Sequence, residues 1–286
     1  MTKKHKLSLL IILFVLNIIV FLLIWQKLDQ RLMVAFLDVG QGDAIFIETP
    51  SGKQILIDGG PPDGAVLRKL GEVMPFYDRS IDVVLATHPD EDHIGGLNSV
   101  LERYQVDLFI RNEATSSSQT FSNLLGLISD RKIPEKIITE AQTINFSDGV
   151  KFNLLFPNRD IKNEETNNSS IVGKLSYGEI DFLLTGDSPI SIERELIYHY
   201  GHFLESEVLK AGHHGSKYSS SEAYLNYVKP KYSIISAGLN NRYNHPNPEV
   251  ISNLEKIKTT ILKTLGGGSL IFYTDGITLL PPLSLR

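Results

Sequence analysis

From residue 32 onward the chain switches between apolar and polar blocks every few residues, with two distinct periods. Short apolar runs bounded by Gly, Asp or Pro predict strands: "MVAFLDVG", "DAIFIET", "KQILIDGG", "IDVVLATH" and "VDLFIR". Apolar residues recurring three and four apart predict helices over 63–74, over "GGLNSVLERYQ" (95–105) and over "FSNLLGLISDRK" (121–132). Paired runs around Asp148-Gly149 and Tyr177-Gly178 predict two hairpins, with Asn158 to Ser170 as a polar loop between them. After Asp187 helix and strand patterns alternate through "PISIERELIYHY", "SEVLKAGHH", "SEAYLNYV", "YSIISAG" and "PEVISNLEKI". A last hairpin-like tail, "SLIFYTDGITLL", follows a turn at Gly266 to Gly268. Strand-rich first half and alternating second half together predict an α/β fold of two sheets covered by helices, in one domain spanning 32–286.

The first 31 residues obey a different pattern. Leu7 to Trp25, "LSLLIILFVLNIIVFLLIW", is interrupted only by Ser8 and Asn17, and as a helix it reaches roughly 28 Å, about one hydrocarbon core. Lys3, Lys4, His5 and Lys6 precede it, which predicts a single-pass anchor in the cell membrane with the C-terminal domain outside the cytoplasm and Trp25 at the outer interface. A cleaved signal peptide is the alternative, but the run is long for one and no small-x-small site follows.

Composition narrows the chemistry. The chain has no cysteine, so any metal must be held by His, Asp, Glu or backbone, and no thiol nucleophile exists. Lys3, Lys4, Lys6, Lys27 and Arg31 against Asp29 precede Leu32, so the 28 basic and 33 acidic residues leave 23 and 32 beyond it, a charge of about −9. That is not the basic footprint of a tight duplex binder. Nothing in the pattern sets an oligomeric state.

The densest chemistry lies in "THPDEDHIGG", where His88, Asp90, Asp92 and His93 fall within six residues at the end of a predicted strand, with a helix expected from about Gly95. Four such donors suit two neighbouring divalent ions better than one. Further donors stand at other strand ends: Asp187 in "DFLLTGD", His213 and His214 in "KAGHHGS", and His245 in "NRYNHPNP". Asp38, Gln41 and Asp43 in "DVGQGDA" are candidates to support such a site from behind. That stretch lacks the third glycine and the following helix of a dinucleotide fingerprint. Asp58 in "IDGG" reads as structural, and Lys217, Arg242 and His245 as candidate contacts for a substrate anion.

H-x-D-x-D-H-x-G-G, then T-G-D, then H-H-G-S, in that order, resemble the metallo-β-lactamase superfamily, and in particular the extracellular nuclease-type domain of ComEC-like competence proteins. The resemblance runs from about Val34 to Leu280. It implies an αββα sandwich with a metal site at the edge of the two sheets. Carried over by motif, one metal takes His88 and Asp90; the other takes Asp92, His93 and a histidine of the H-H-G-S pair, with His213 preferred over His214. Asp187 bridges both. Asp90 departs from the usual H-x-H-x-D-H pattern, and the family's additional histidine before T-G-D has no counterpart; Asn167, Asn168 or Ser170 occupies its neighbourhood. The carboxylate-rich set allows zinc or manganese.

The resemblance implies a metal-dependent hydrolase, a phosphodiesterase or DNase, with Asp92, Asp187 and His245 as candidate catalytic residues. One apolar segment in place of a multi-helix channel means that this chain is not expected to import DNA by itself. Two rivals stand beside the DNase reading: a hydrolase of small or cell-envelope phosphodiesters such as phosphorylcholine groups, and a non-catalytic metal-binding module.

Overall fold

The computed structural model describes residues 3–27, 31–162, 164–239, 241–264, 266 and 268–285, with side chains of Lys3 and of residues 23–27 excluded. The side chain of Trp25, Asp29 at the 1–31 boundary and part of the 266–268 turn therefore lie outside the described residues. The elements, in order, are α1 (Lys3–Lys27), β1 (Leu32–Phe36), β2 (Ile45–Glu48), β3 (Gln54–Ile57), α2 (Ala65–Val73) and β4 (Ser80–Ala86). Then come α3 (Glu91–Arg103), β5 (Gln105–Asn112), α4 (Gln119–Asp130), β6 (Glu135–Ile138), β7 (Gln142–Asn145) and β8 (Lys151–Phe156). The second half holds β9 (Val172–Tyr177), β10 (Ile180–Leu184), α5 (Ile190–Tyr200), β11 (Val208–Lys210), α6 (Glu222–Val228) and β12 (Tyr232–Ile235). It closes with α7 (Pro248–Lys256), β13 (Thr260–Lys263), β14 (Ser269–Thr274) and β15 (Leu283–Leu285).

Two sheets form, in the orders β15-β14-β1-β2-β3-β4-β5-β6 and β13-β12-β11-β10-β9-β8-β7. Residues of β1 alternate between two buried faces. Leu32, Val34 and Phe36 meet the second sheet, while Met33 and Ala35 meet the outer helices. Between the sheets Phe272 holds Phe36 and Phe182 edge-on, each at 6.0 Å between ring centroids. Truncating a ring so placed costs about 3–5 kcal/mol. Val66, Leu97 and Leu124 cover the first sheet from α2, α3 and α4; Leu196, Leu225 and Leu254 cover the second from α5, α6 and α7. The result is the αββα sandwich that the resemblance implied.

The two ends of the sandwich differ. The hairpin turns lie at one end and tie the sheets together there: Asp148 accepts from Ser51 N and Oγ at 2.9 and 2.6 Å, and Glu179 N donates to Gly276 O at 2.6 Å. β1 enters from this end, Leu32 pairing with Thr274. The opposite end carries the loops after β1, β3, β4, β10, β11 and β12, where the sequence places its acids and histidines.

Three sequence expectations are adjusted. Helix α3 starts at Glu91 with Asp90 as N-cap, not near Gly95, so Asp92 and His93 sit on its first turn. Acidic residues favour a helix N-terminus, which makes this cluster a helix start as well as a donor set. The second hairpin turns on Gly178-Glu179, because Tyr177 still pairs with Ile180. The loop 158–170 contains a 3-10 turn, Thr166–Ser169. Among described residues α1 is the one helix long and apolar enough to cross a membrane.

Candidate metal centre

The Gly-Gly after the His-Asp cluster fixes where α3 sits. A Cβ on Gly96 would lie 2.0 Å from Gly59 O, and one on Gly95 2.6 Å from Pro62. The helix start is thus pressed against the loop after β3, with Gly59 N donating to His93 O at 2.7 Å and Gly96 N to Gly60 O at 2.9 Å. Gly42, at φ +127°, similarly meets Asp92 O, which brings the loop after β1 over the first turn.

That packing orients three imidazoles alike. His93 Nδ1 bonds Asp58 Oδ2 at 2.7 Å, His88 Nδ1 faces Thr87 Oγ1 at 3.0 Å, and His214 Nδ1 bonds Ser236 O at 2.9 Å. All three rings are buried, and each Nε2 lacks a hydrogen-bond partner, as does Asp187 Oδ1. The rings cluster, His88 to His93 at 4.1 Å and His93 to His214 at 5.3 Å between centroids. Around them stand His88 Nε2 to Asp90 Oδ2 at 3.6 Å, His93 Nε2 to Asp187 Oδ1 at 3.3 Å, and His214 Nε2 to Asp187 Oδ2 and Asp92 Oδ2 at 3.3 and 3.4 Å. Buried, unpartnered nitrogens converging on carboxylates are what a metal-free His/Asp centre looks like, and the residues fit divalent cations.

The charges reflect the same crowding. Burial opposes ionisation of His93 and His214, yet Asp187 and, respectively, Asp58 and Asp43 outweigh it and hold both well above the ordinary imidazole range. Burial likewise opposes the charge on Asp187, but His214 and His93 hold it well below the carboxylate range. Asp92 is lowered by His214 and His93, and Asp90 by His88 and by a hydrogen bond from Thr166, in each case against burial. Without metal, protons on His93 and His214 occupy the role of cations.

Not every candidate stands in the cluster. His213 and His214 both adopt left-handed backbone, φ 46° and 53°, which turns the two rings apart. His214 reaches both Asp92 and Asp187, whereas His213 reaches Asp187 alone at 3.7 Å and remains 26% exposed. His245 lies 5.6 Å from the His213 ring; burial, then His213 and His214, push its pKa down to about 4, so it is neutral near pH 7. Asp43 pairs through Oδ2 with Lys210 Nζ at 2.5 Å, while its buried Oδ1 lacks a hydrogen-bond partner, stands 3.5 Å from His214 Nδ1 and groups with His93, Asp187 and His214, whose ligand atoms all lie within 4.8 Å of one another. Asp38 closes a local turn with Gly40 N, and Gln41 Oε1 accepts from Gly238 N at 3.2 Å, joining two loops. The Asn168 amide goes to Glu164 at 3.4 Å, while the unpartnered buried oxygen in that turn belongs to Asn167. Lys210 was not anticipated, nor was Asp58 as the partner of His93; a lysine ending an apolar strand and an Asp before Gly-Gly were the only signals.

The sequence profile of the Metallo-beta-lactamase superfamily matches residues 37–238. The chain belongs to this superfamily. This metallo-β-lactamase-fold chain is similar to ComE operon protein 3 of Bacillus subtilis, 29% identical over 265 residues that cover 87% of this chain and 34% of that protein. It is also similar to competence protein ComA of Neisseria gonorrhoeae, 30% identical over 244 residues covering 85% and 32%. The chain spans about a third of the length of these relatives. In three dimensions it is similar to the metallo-beta-lactamase fold protein YhfI from Bacillus subtilis, with a TM-score of 0.56 at 10% identity, covering 85% of this chain and 100% of that one. That is a likeness of fold.

Proposed function

We propose that residues 32–286 form a dinuclear-metal phosphodiesterase that cuts DNA outside the membrane in which residues 1–31 anchor it. The observation that carries this reading is the trio of imidazoles with Nδ1 fixed and Nε2 unpartnered, facing Asp90, Asp92 and Asp187. His88 and Asp90 would hold one ion; Asp92, His93 and His214 the other; Asp187 would bridge. His214 takes precedence over His213 because its Nε2 lies between Asp92 and Asp187. Held there, two divalent ions, zinc or manganese, would supply Lewis-acid chemistry.

This chain's own residues do the rest. Asp58 and Ser236 keep the His93 and His214 protons on Nδ1, so that Nε2 presents a lone pair. Lys210 offsets the charge of Asp43 through Oδ2 and leaves the buried Oδ1 turned toward His214. His245, neutral at working pH, offers a hydrogen-bond donor near the leaving oxygen. Similarity to competence proteins supports DNA over a small envelope phosphodiester.

The test uses the full chain in detergent, stripped and reloaded with manganese or zinc, against linear DNA and bis-nitrophenyl phosphate. Asp187→Ala should abolish both activities while leaving the melting of the metal-free protein cooperative. DNA left intact while the small ester is cut would move the substrate to the cell envelope. Bound metal without turnover of either would leave a binding module.

A further inference from the structure

Two loops beside the centre carry side chains that metal binding does not use. The loop after β11 holds Lys217 and Tyr218, and the loop after β12 holds Arg242, Tyr243 and His245. They run side by side, since Asn247 N donates to Gly215 O at 2.8 Å and a Cβ on Gly215 would meet Pro246 at 2.7 Å. In each loop a cation covers the next residue's ring. Lys217 Nζ is 5.0 Å from the Tyr218 centroid, and Arg242 Cζ is 4.7 Å from that of Tyr243.

Both tyrosines are open to solvent, at 62% and 48% exposure. From Tyr243 the rings continue inward. It stacks on His245 at 5.6 Å and 23°, His245 is 5.6 Å from His213, and His213 is 6.0 Å from His214. The Arg242 guanidinium also donates to the Tyr243 hydroxyl. Among described residues neither Lys217 nor Arg242 is ion-paired. On the opposite bank Arg159 and Lys162 are paired to Glu195, Glu164 and Glu113, and Glu91 and Glu165 are exposed.

Building on the phosphodiesterase reading, we propose that Tyr218, backed by Lys217, is a stacking platform for the unpaired bases of a single-stranded nucleic acid, while Tyr243, already in contact with Arg242 and His245, holds Arg242 beside it as a contact for the phosphates. Every base has a π face, so such a platform is sequence-tolerant. Bases inside a duplex have both faces covered and cannot use it. The charge of about −9 on residues 32–286 repels a polyanion, which favours approach along this cationic bank.

The experiment is fluorescence anisotropy on the full chain in detergent with a chelator present, using a labelled oligothymidylate of about 12 nucleotides and a labelled duplex of equal length. The single strand should bind at least about 10-fold more tightly than the duplex. Tyr218→Leu, which keeps apolar bulk but loses the ring, should weaken single-strand binding about 10-fold, whereas Tyr218→Phe should bind like the parent. A leucine variant that binds like the parent, or equal binding of the duplex, would overturn the platform. Because the chelator removes turnover, the two readings separate. Tyrosine-dependent binding without cleavage after manganese addition upholds the platform and defeats the phosphodiesterase. Cleavage without tyrosine-dependent binding defeats the platform alone.

Discussion

Asp58→Asn isolates one proton. Asp58 is fully buried and accepts from Thr87 N at 2.8 Å, Thr87 Oγ1 at 2.7 Å and His93 Nδ1 at 2.7 Å. An asparagine oxygen can satisfy the Thr87 amide, but its NH2 group then faces His93 Nδ1. That nitrogen must become an acceptor, the ring proton moves to Nε2, and the lone pair that a cation needs is gone. The flipped amide instead sets NH2 against the Thr87 N–H, leaving a buried donor unpaired at about 1–3 kcal/mol. Loss of such a supporting carboxylate lowers metal affinity about 10–100-fold, or about 1.4–2.8 kcal/mol. The assay is competition against a chromophoric chelator, paired with melting curves with and without metal. Asp148→Asn is the control, because Asp148 also accepts hydrogen bonds but lies at the hairpin end. It should cost stability and leave metal affinity intact. Parent-like affinity in Asp58→Asn would refute the claim that Asp58 sets the His93 tautomer.

Other outcomes follow from the same geometry. Gly96→Ala drives a methyl against Gly59 O and should cost about 1–3 kcal/mol in chemical denaturation while weakening metal binding; Gly71→Ala, on an open face of α2, should stabilise by about 0.5–1 kcal/mol. In the metal-free protein the raised His93 and His214 contribute stability that is complete below about pH 6.5 and lost as pH rises through their higher folded values, whereas the lowered Asp92 and Asp187 lose theirs only in acid. Chelated protein should therefore melt at a lower temperature at pH 9 than at pH 6.5, and metal affinity should rise over that interval as the two protons are displaced; a flat profile would contradict the protonated pair. Lys210→Met removes the ion-pair partner of buried Asp43, leaving only His214 beside it, and should cost about 3–5 kcal/mol, much of it recovered in Asp43→Asn/Lys210→Met as judged by a double-mutant cycle.

Local chemistry made part of this legible before any coordinates. Donors clustered within six residues, and acids and histidines at strand ends, mark the candidate site because strands deliver their ends to one place. Long-range pairing was not legible: Asp58 meets His93 across 35 residues and Lys210 meets Asp43 across 167, and nothing local marks either bond. The sequence reading prefers His213 over His214, but two consecutive left-handed residues turn the His214 ring, not the His213 ring, between Asp92 and Asp187. The start of α3 was misplaced because a helix N-terminus and a metal loop favour the same acids. The edge strands β6 and β13 escaped notice because "EKII" and "TILK" are short and half polar.

The polarity of the sandwich bears on what can reach it. Leu32 enters at the hairpin end and Asp38 stands at the other, six residues of extended chain or roughly 20 Å away. Were α1 to lie in a bilayer, the donor-bearing end would stand on the far side of the sandwich from the point where the chain enters β1. A polymer standing off the surface would meet that end directly, whereas a bond at headgroup level would lie behind it. An anchor there would sort encounters by height above the lipid before the His/Asp cluster sorts them by chemistry.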